Sequence, residues 1–86
     1  MEKRIFMTEN EKYRDRIIKM GLNVAYYRKY RGLTQEVLAE RSKITRDFIS
    51  KIEAPDMFIG ISMRTLFNLA DALDIPPSKL LDFRDE

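Results

Sequence analysis

The 86-residue chain contains neither cysteine nor histidine and carries a formal charge of +2. At this length it builds one domain with one modest core, burying roughly 60–65% of the surface that its unfolded form exposes. The missing cysteine excludes disulfides, thiolate metal sites and a cysteine nucleophile, and the missing histidine removes the usual general base and the commonest metal ligand. No cofactor, metal or enzymatic activity is therefore expected.

The start, MEKRIFMTENEKY, has only Ile5, Phe6 and Met7 as an apolar run. That run is too short for a signal peptide or a membrane span, so the expectation is a soluble, cytoplasmic chain. Charge is unevenly spread. Residues 1–53 hold 13 Lys/Arg against 8 Asp/Glu, and residues 54–86 hold 3 against 6. Basic character thus falls in the half that carries two short helical patterns, hinting at a polyanionic partner, although an ordinary solubilised surface has the same look.

Residues 1–9 show no sustained periodicity and read as a flexible arm, leaving residues 10–86 as the domain. From Asn10 to about Arg31, Ile17, Met20, Val24 and Tyr27 recur at helical spacing, and Gly32 stands where a left-handed terminating residue belongs. Gly21 inside this helix costs about 1 kcal/mol against alanine. It is either a tolerated weak spot or the place where another helix packs closely, and close packing is favoured. Thr34 then caps a second helix ending near Arg41, and Thr45 caps a third from Arg46 to about Glu53, stopped by Pro55. The loop Ala54–Ile61 is unexpectedly apolar. Ser62 caps a fourth helix with the inward stripe Leu66, Leu69, Ala70 and Leu73. Ile75 precedes two prolines, and Pro77 opens a last short helix through Leu80 and Leu81. The expected architecture is all-α, a compact five-helix bundle without strands.

The stretch Thr34–Glu53, TQEVLAERSKITRDFISKIE, places two helices three residues apart. Helices this short are marginal without tertiary support, so they make sense when both lean on a scaffold and one projects outward. Leu38, Ala39, Ile44, Ile49 and Ile52 form the inward set, with Ala39 small enough for a steep crossing. Arg46, Asp47, Ser50 and Lys51 are left outward, with a reach suited to base edges or phosphates in a major groove.

The run LTQEVLAERSKITRDFISKIE resembles the helix-turn-helix of the lambda-repressor-like (Xre/Cro) family. Leu33, Thr34, Gln35, Leu38, Ala39, Ser42, Ile44, Thr45, Ile49, Ser50, Ile52 and Glu53 match the pattern, Arg28 stands four residues before Gly32, and SMRTLFNLADALDI resembles the fourth helix. Coverage is about Ile17 to Phe83. Two departures stand out. Lys43 occupies the turn position where the family often has glycine, and a lysine at positive φ costs on the order of 1 kcal/mol. The chain after Glu53 also runs about two residues longer and lacks basic residues, so phosphate contacts from that loop are not carried over. Phe58 and Ile59 are expected to tuck into the core or to meet a second subunit.

The resemblance implies that Gln35 holds a backbone phosphate and that Arg28 and Glu53 form a partly buried ion pair between the first and third helices. Thr34, Lys43 and Thr45 complete the candidate contacts, with Thr45 first of all a cap. Arg46 is the candidate for direct readout, because its planar fork fits the O6/N7 edge of guanine; the alternative is a solvated arginine or a phosphate clamp. Asp47 accepts from a cytosine amino group, favours its helix N-terminus or pairs with Lys51, and the structural roles are preferred. Lys51 reaches a base or a phosphate. Phe48 meets a thymine methyl or packs inward. Lys29 and Arg31 are solvent-facing candidates for backbone attraction, and Tyr26, Tyr27 and Tyr30 are read as core and rim.

The expected function is sequence-specific binding of double-stranded DNA by a transcriptional regulator, a repressor-type homodimer on an inverted-repeat operator with half-sites about 34 Å apart. Leu80, Leu81 and Phe83 are the candidate dimer residues. The alternative is an antitoxin or adaptor that meets a protein partner through the apolar loop at residues 57–61.

Overall fold

The structure, a computed structural model, describes residues 12–83. The arm expected over residues 1–9 and the helix start expected at Asn10 lie outside the described residues.

Helix α1, Arg14–Tyr30, buries Met20, Gly21 and Val24. It ends at Gly32, whose φ is 72°. The N–H groups of Gly32 and Leu33 donate to the carbonyls of Lys29 and Arg28 at 2.9 Å each. This paired closure needs a left-handed residue, which glycine supplies without a Cβ penalty. Helix α2, Gln35–Ser42, follows after the Val37 N–H finds the Thr34 hydroxyl at 3.0 Å. Helix α3, Arg46–Glu53, repeats the device, with the Phe48 N–H donating to the Thr45 hydroxyl at 3.1 Å. Helix α4, Met63–Leu73, starts from Ser62, which accepts from the Thr65 N–H at 3.1 Å.

The fifth expected helix forms as a five-residue 3₁₀ segment, Pro77–Leu81. So short a run closes few i→i−4 bonds, and the tighter i→i−3 geometry satisfies more of its backbone. The described residues thus hold four α-helices and one 3₁₀ turn, with no strand.

One core joins all five segments. Val24, Leu38, Ile49, Leu69, Leu73 and Leu80 are fully enclosed, and Met20, Ile52, Leu66 and Ala70 complete the cluster. At the crossing of α1 and α3 the backbones nearly touch, and a Cβ built on Gly21 overlaps the carbonyl oxygen of Ile52. Gly21 is therefore the close-packing site, and no methyl group fits there. Leu80 is fully buried, which removes it from the candidate dimer residues. The 3₁₀ segment folds back onto α1, where the Asn23 side-chain amide donates to the Leu80 carbonyl at 3.0 Å and the Asp82 carbonyl at 3.3 Å. The apolar loop also turns inward. Ile59 and Ile61 pack on the core, and of the loop's large apolar side chains only Met57 is exposed.

Candidate nucleic-acid interface

The two short helices meet through Ser42, Lys43 and Ile44. Ser42 is buried, and its hydroxyl donates to the Leu38 carbonyl at 2.7 Å, so the turn carries no orphaned hydroxyl. Lys43 takes φ 59° and ψ 34°, the left-handed region that its position demands. Its side chain is exposed.

Behind the turn lies a four-residue lock. Arg28 grips Glu53 with two parallel bonds, Nε to Oε2 at 2.8 Å and Nη2 to Oε1 at 2.9 Å. The remaining arm of the fork, Nη1, donates to the Leu33 carbonyl at 2.8 Å. The Gln35 side-chain amide adds a third donor to the carboxylate, reaching Oε1 at 3.0 Å. Side-chain exposures of 11% and 7% place the ion pair largely out of water. The hydrogen bond to Glu53 raises the Arg28 guanidinium above its ordinary pKa, against the opposing effect of burial. The lock ties the C-terminal half of α1, the start of α2 and the end of α3 into one unit.

In front, α3 presents Arg46, Asp47 and Lys51 to solvent, with Ser50 half-buried beside them. Phe48 is also half-buried and packs on the core. The cations here have companions. Arg46 Nε lies 3.4 Å from Glu36 Oε2 across the two helices, and Lys51 Nζ lies 3.1 Å from Asp47 Oδ2 one turn back. Both pairs are solvent-exposed and weak, so an incoming polyanion competes with them readily.

The Gln35 amide is drawn toward Glu53 rather than held out to solvent, a placement the sequence did not suggest. Arg31 also departs from expectation. Its guanidinium donates to the carbonyls of Leu73 at 2.9 Å and Asp74 at 2.8 Å. It closes the C-terminus of α4, where the helix dipole favours a cation. Lys29 stays exposed. Tyr27 is packed against the core, whereas Tyr26 and Tyr30 stack on each other at the rim with ring centroids 6.4 Å apart.

The charge of the motif also needs correcting. Residues 34–53 hold Arg41, Lys43, Arg46 and Lys51 against Glu36, Glu40, Asp47 and Glu53, so the helix-turn-helix is neutral. The basic excess belongs to residues 1–33, with nine Lys/Arg against four Asp/Glu. Among described residues, Arg14 lies over the Phe58 ring at 5.0 Å. The pairs Glu36–Arg46, Gln35–Glu53 and Arg14–Phe58 join residues far apart in sequence, and no local spacing announces them.

These features define a DNA-binding transcriptional regulator of the helix-turn-helix class. The pattern of the Helix-turn-helix family matches residues 24–80, and the chain belongs to that family, in its lambda-repressor-like (Xre) branch. Among solved structures, it is similar to the restriction-modification controller protein C.AhdI from Aeromonas hydrophila, with 34% identity and a TM-score of 0.71 over 79% of this chain and 98% of that one. No match is found among curated proteins. No helix among the described residues is long and apolar enough to cross a membrane.

Proposed function

We propose that the chain is a sequence-specific transcriptional regulator that binds an inverted-repeat operator as a homodimer, with α3 in the major groove, and that it acts as a repressor in the cytoplasm. The observation that carries this reading is the division of α3 itself. Ile49, Ile52 and Glu53 are buried against the scaffold, while Arg46, Asp47 and Lys51 stand free of the core on the opposite side. A rigid rod with polar groups on its outer face fits a groove about 12 Å wide.

Arg46 is the direct reader, and displacing Glu36 from it is part of binding. Lys51 reaches a base or phosphate beyond it, with Asp47 and Ser50 alongside. Thr34, Gln35, Lys43 and Thr45 lie around the N-terminal ends of α2 and α3, where backbone N–H groups and the dipole favour a phosphate. The Gln35 amide already donates one N–H to Glu53, which leaves its second N–H for a phosphate.

The dimer surface follows from exposed apolar groups. Met63, Phe67 and Leu81 are exposed. Met63 and Leu81 border an apolar hollow that Ile17, Leu66 and Phe83 also line. The structural relative is a restriction-modification controller, and a regulator of that kind is the reading nearest to this chain.

The test is selection of bound sequences from a random duplex pool. An enriched inverted repeat, bound at about 10⁻⁸ M or tighter with log affinity falling linearly in log salt, supports the reading. A pool that stays unenriched, with no duplex retained at low salt, rejects it.

A further inference from the structure

A neutral helix-turn-helix leaves open where backbone attraction comes from. Binding to duplex DNA draws much of its affinity from cations that displace counterions along the phosphates. The basic excess of this chain lies in residues 1–33, ahead of the motif. Two of those cations are committed elsewhere, since Arg28 is locked to Glu53 and Arg31 closes α4. The loop after α3, Ala54–Ile61, contains no cation at all, and its one charge is Asp56. A DNA backbone running past that end of α3 would therefore meet an acidic, otherwise apolar loop.

The start of α1 and the two residues before it supply what the loop lacks. Lys12, Tyr13, Arg14, Asp15 and Arg16 are all exposed, a basic run with an aromatic within it. Arg14 turns toward the loop, with its guanidinium 5.0 Å from the centre of the Phe58 ring. An aromatic face beneath a guanidinium restricts its motion while leaving its N–H groups, which point outward in the guanidinium's own plane, open to an anion. Position is set by the backbone crossing at Gly21 and Ile52. Arg14 lies seven residues before Gly21, about 10 Å along the helix at 1.5 Å per residue. The cation thus sits beside the loop end of α3, whereas Lys43 and Arg46 sit at its start. The family pattern begins at residue 24, so Arg14 lies in a part of α1 that the pattern does not cover.

We propose that Arg14, stacked on Phe58, is a DNA-backbone contact at the loop end of α3, gripping a phosphate on the far side of the groove from Lys43. This rests on the DNA-binding reading above. The contact is to a phosphate, so it adds affinity without reading sequence.

Fluorescence anisotropy across a salt series tests it, using a duplex selected by the wild-type protein and a mixed-sequence duplex. Arg14→Gln weakens both about three- to tenfold and makes the log–log salt slope shallower by about 0.9, as loss of one phosphate contact requires. Arg14→Lys, which keeps the charge, retains the slope. Phe58→Leu removes the ring but keeps an apolar side chain, and gives a smaller loss in the same direction. Lys79→Gln, at the other end of the molecule beside Tyr30 and Pro76, changes neither duplex. A wild-type protein that binds while Arg14→Gln keeps the full slope overturns the Arg14 contact and leaves the function standing. A wild-type protein that binds no duplex overturns both.

Discussion

Gly21 of α1 lies directly against the backbone carbonyl of Ile52 in α3, with no room between them for a methyl group. The contact is backbone on backbone, so the obstacle cannot rotate away as a side chain would. Gly21→Ala gains about 1 kcal/mol of helix propensity, yet we expect a net loss of about 2 kcal/mol as the helices are forced apart. Thermal unfolding reads this as a fall in Tm of roughly 10 °C for a domain of this size. DNA affinity falls with it, since the crossing sets how α3 projects. An unchanged Tm would mean that the helices separate freely.

Two substitutions in left-handed turns should act with opposite sign. Lys43 sits at φ 59° with a Cβ, and Gly32 sits at φ 72° with nothing within 4 Å of where one would be. Lys43→Gly relieves strain and raises stability by about 0.5–1 kcal/mol, whereas Gly32→Ala lowers it by about 1 kcal/mol through conformation alone. Urea titration of both variants at equal m-value checks the pair. Two shifts of the same sign would contradict the conformational argument.

The carboxylate of Glu53 receives N–H groups from Arg28 and Gln35, at three distances between 2.8 and 3.0 Å. Glu53→Gln strands the Arg28 charge away from water and should cost about 3 kcal/mol. Gln35→Ala removes one hydrogen bond and should cost about 1 kcal/mol. Denaturant midpoints separate these, and equal losses would show that the charge pairing contributes little.

Glu36 opposes Arg46 at 3.4 Å across the helix-turn-helix. Glu36→Gln removes a negative charge from the DNA-facing side and frees the guanidinium, so binding to all duplexes should tighten by a few-fold. Arg46→Ala should relax preference at one or two base pairs, a loss of about 1–3 kcal/mol for the operator alone. Gln35→Ala should weaken every duplex about equally. Competition against single-base operator variants distinguishes readout from backbone attraction. Uniform weakening by Arg46→Ala would move that residue to the phosphate group.

Leu81 is 48% exposed, whereas its neighbour Leu80 is fully enclosed. Leu81→Glu should therefore dissociate a homodimer while leaving the fold intact, as read by sedimentation equilibrium and circular dichroism. Leu80→Glu should unfold the domain instead. A Leu81→Glu protein with the wild-type mass in solution would place the dimer surface elsewhere.

Much of the fold was legible along the chain because its signals are local. Thr34, Thr45 and Ser62 each satisfy an N–H three residues on, and Gly32 ends its helix with a positive φ. The stripe Leu66, Leu69, Ala70 and Leu73 is the buried face of α4 as its 3.6-residue period requires. The last short helix forms where Pro77 opens it, but its 3₁₀ type is not legible, since five residues after two prolines tip between α and 3₁₀ geometry by small differences that periodicity does not register. Leu80 and Leu81 looked equivalent in sequence, and only the fold-back onto α1 buries one and exposes the other.

The site divides in the same way. The amino-acid order by itself determined the caps, the span of α3 and which of its faces is polar, because each depends on neighbours within one or two turns. The tertiary structure alone decided who meets whom across the helices. It brought Gln35 to Glu53, Arg46 to Glu36, Arg31 to the end of α4 and Arg14 over Phe58. Such pairings depend on crossing angles set by contacts like that of Gly21 with Ile52. Long charged side chains gain too little from any one partner to announce it in advance.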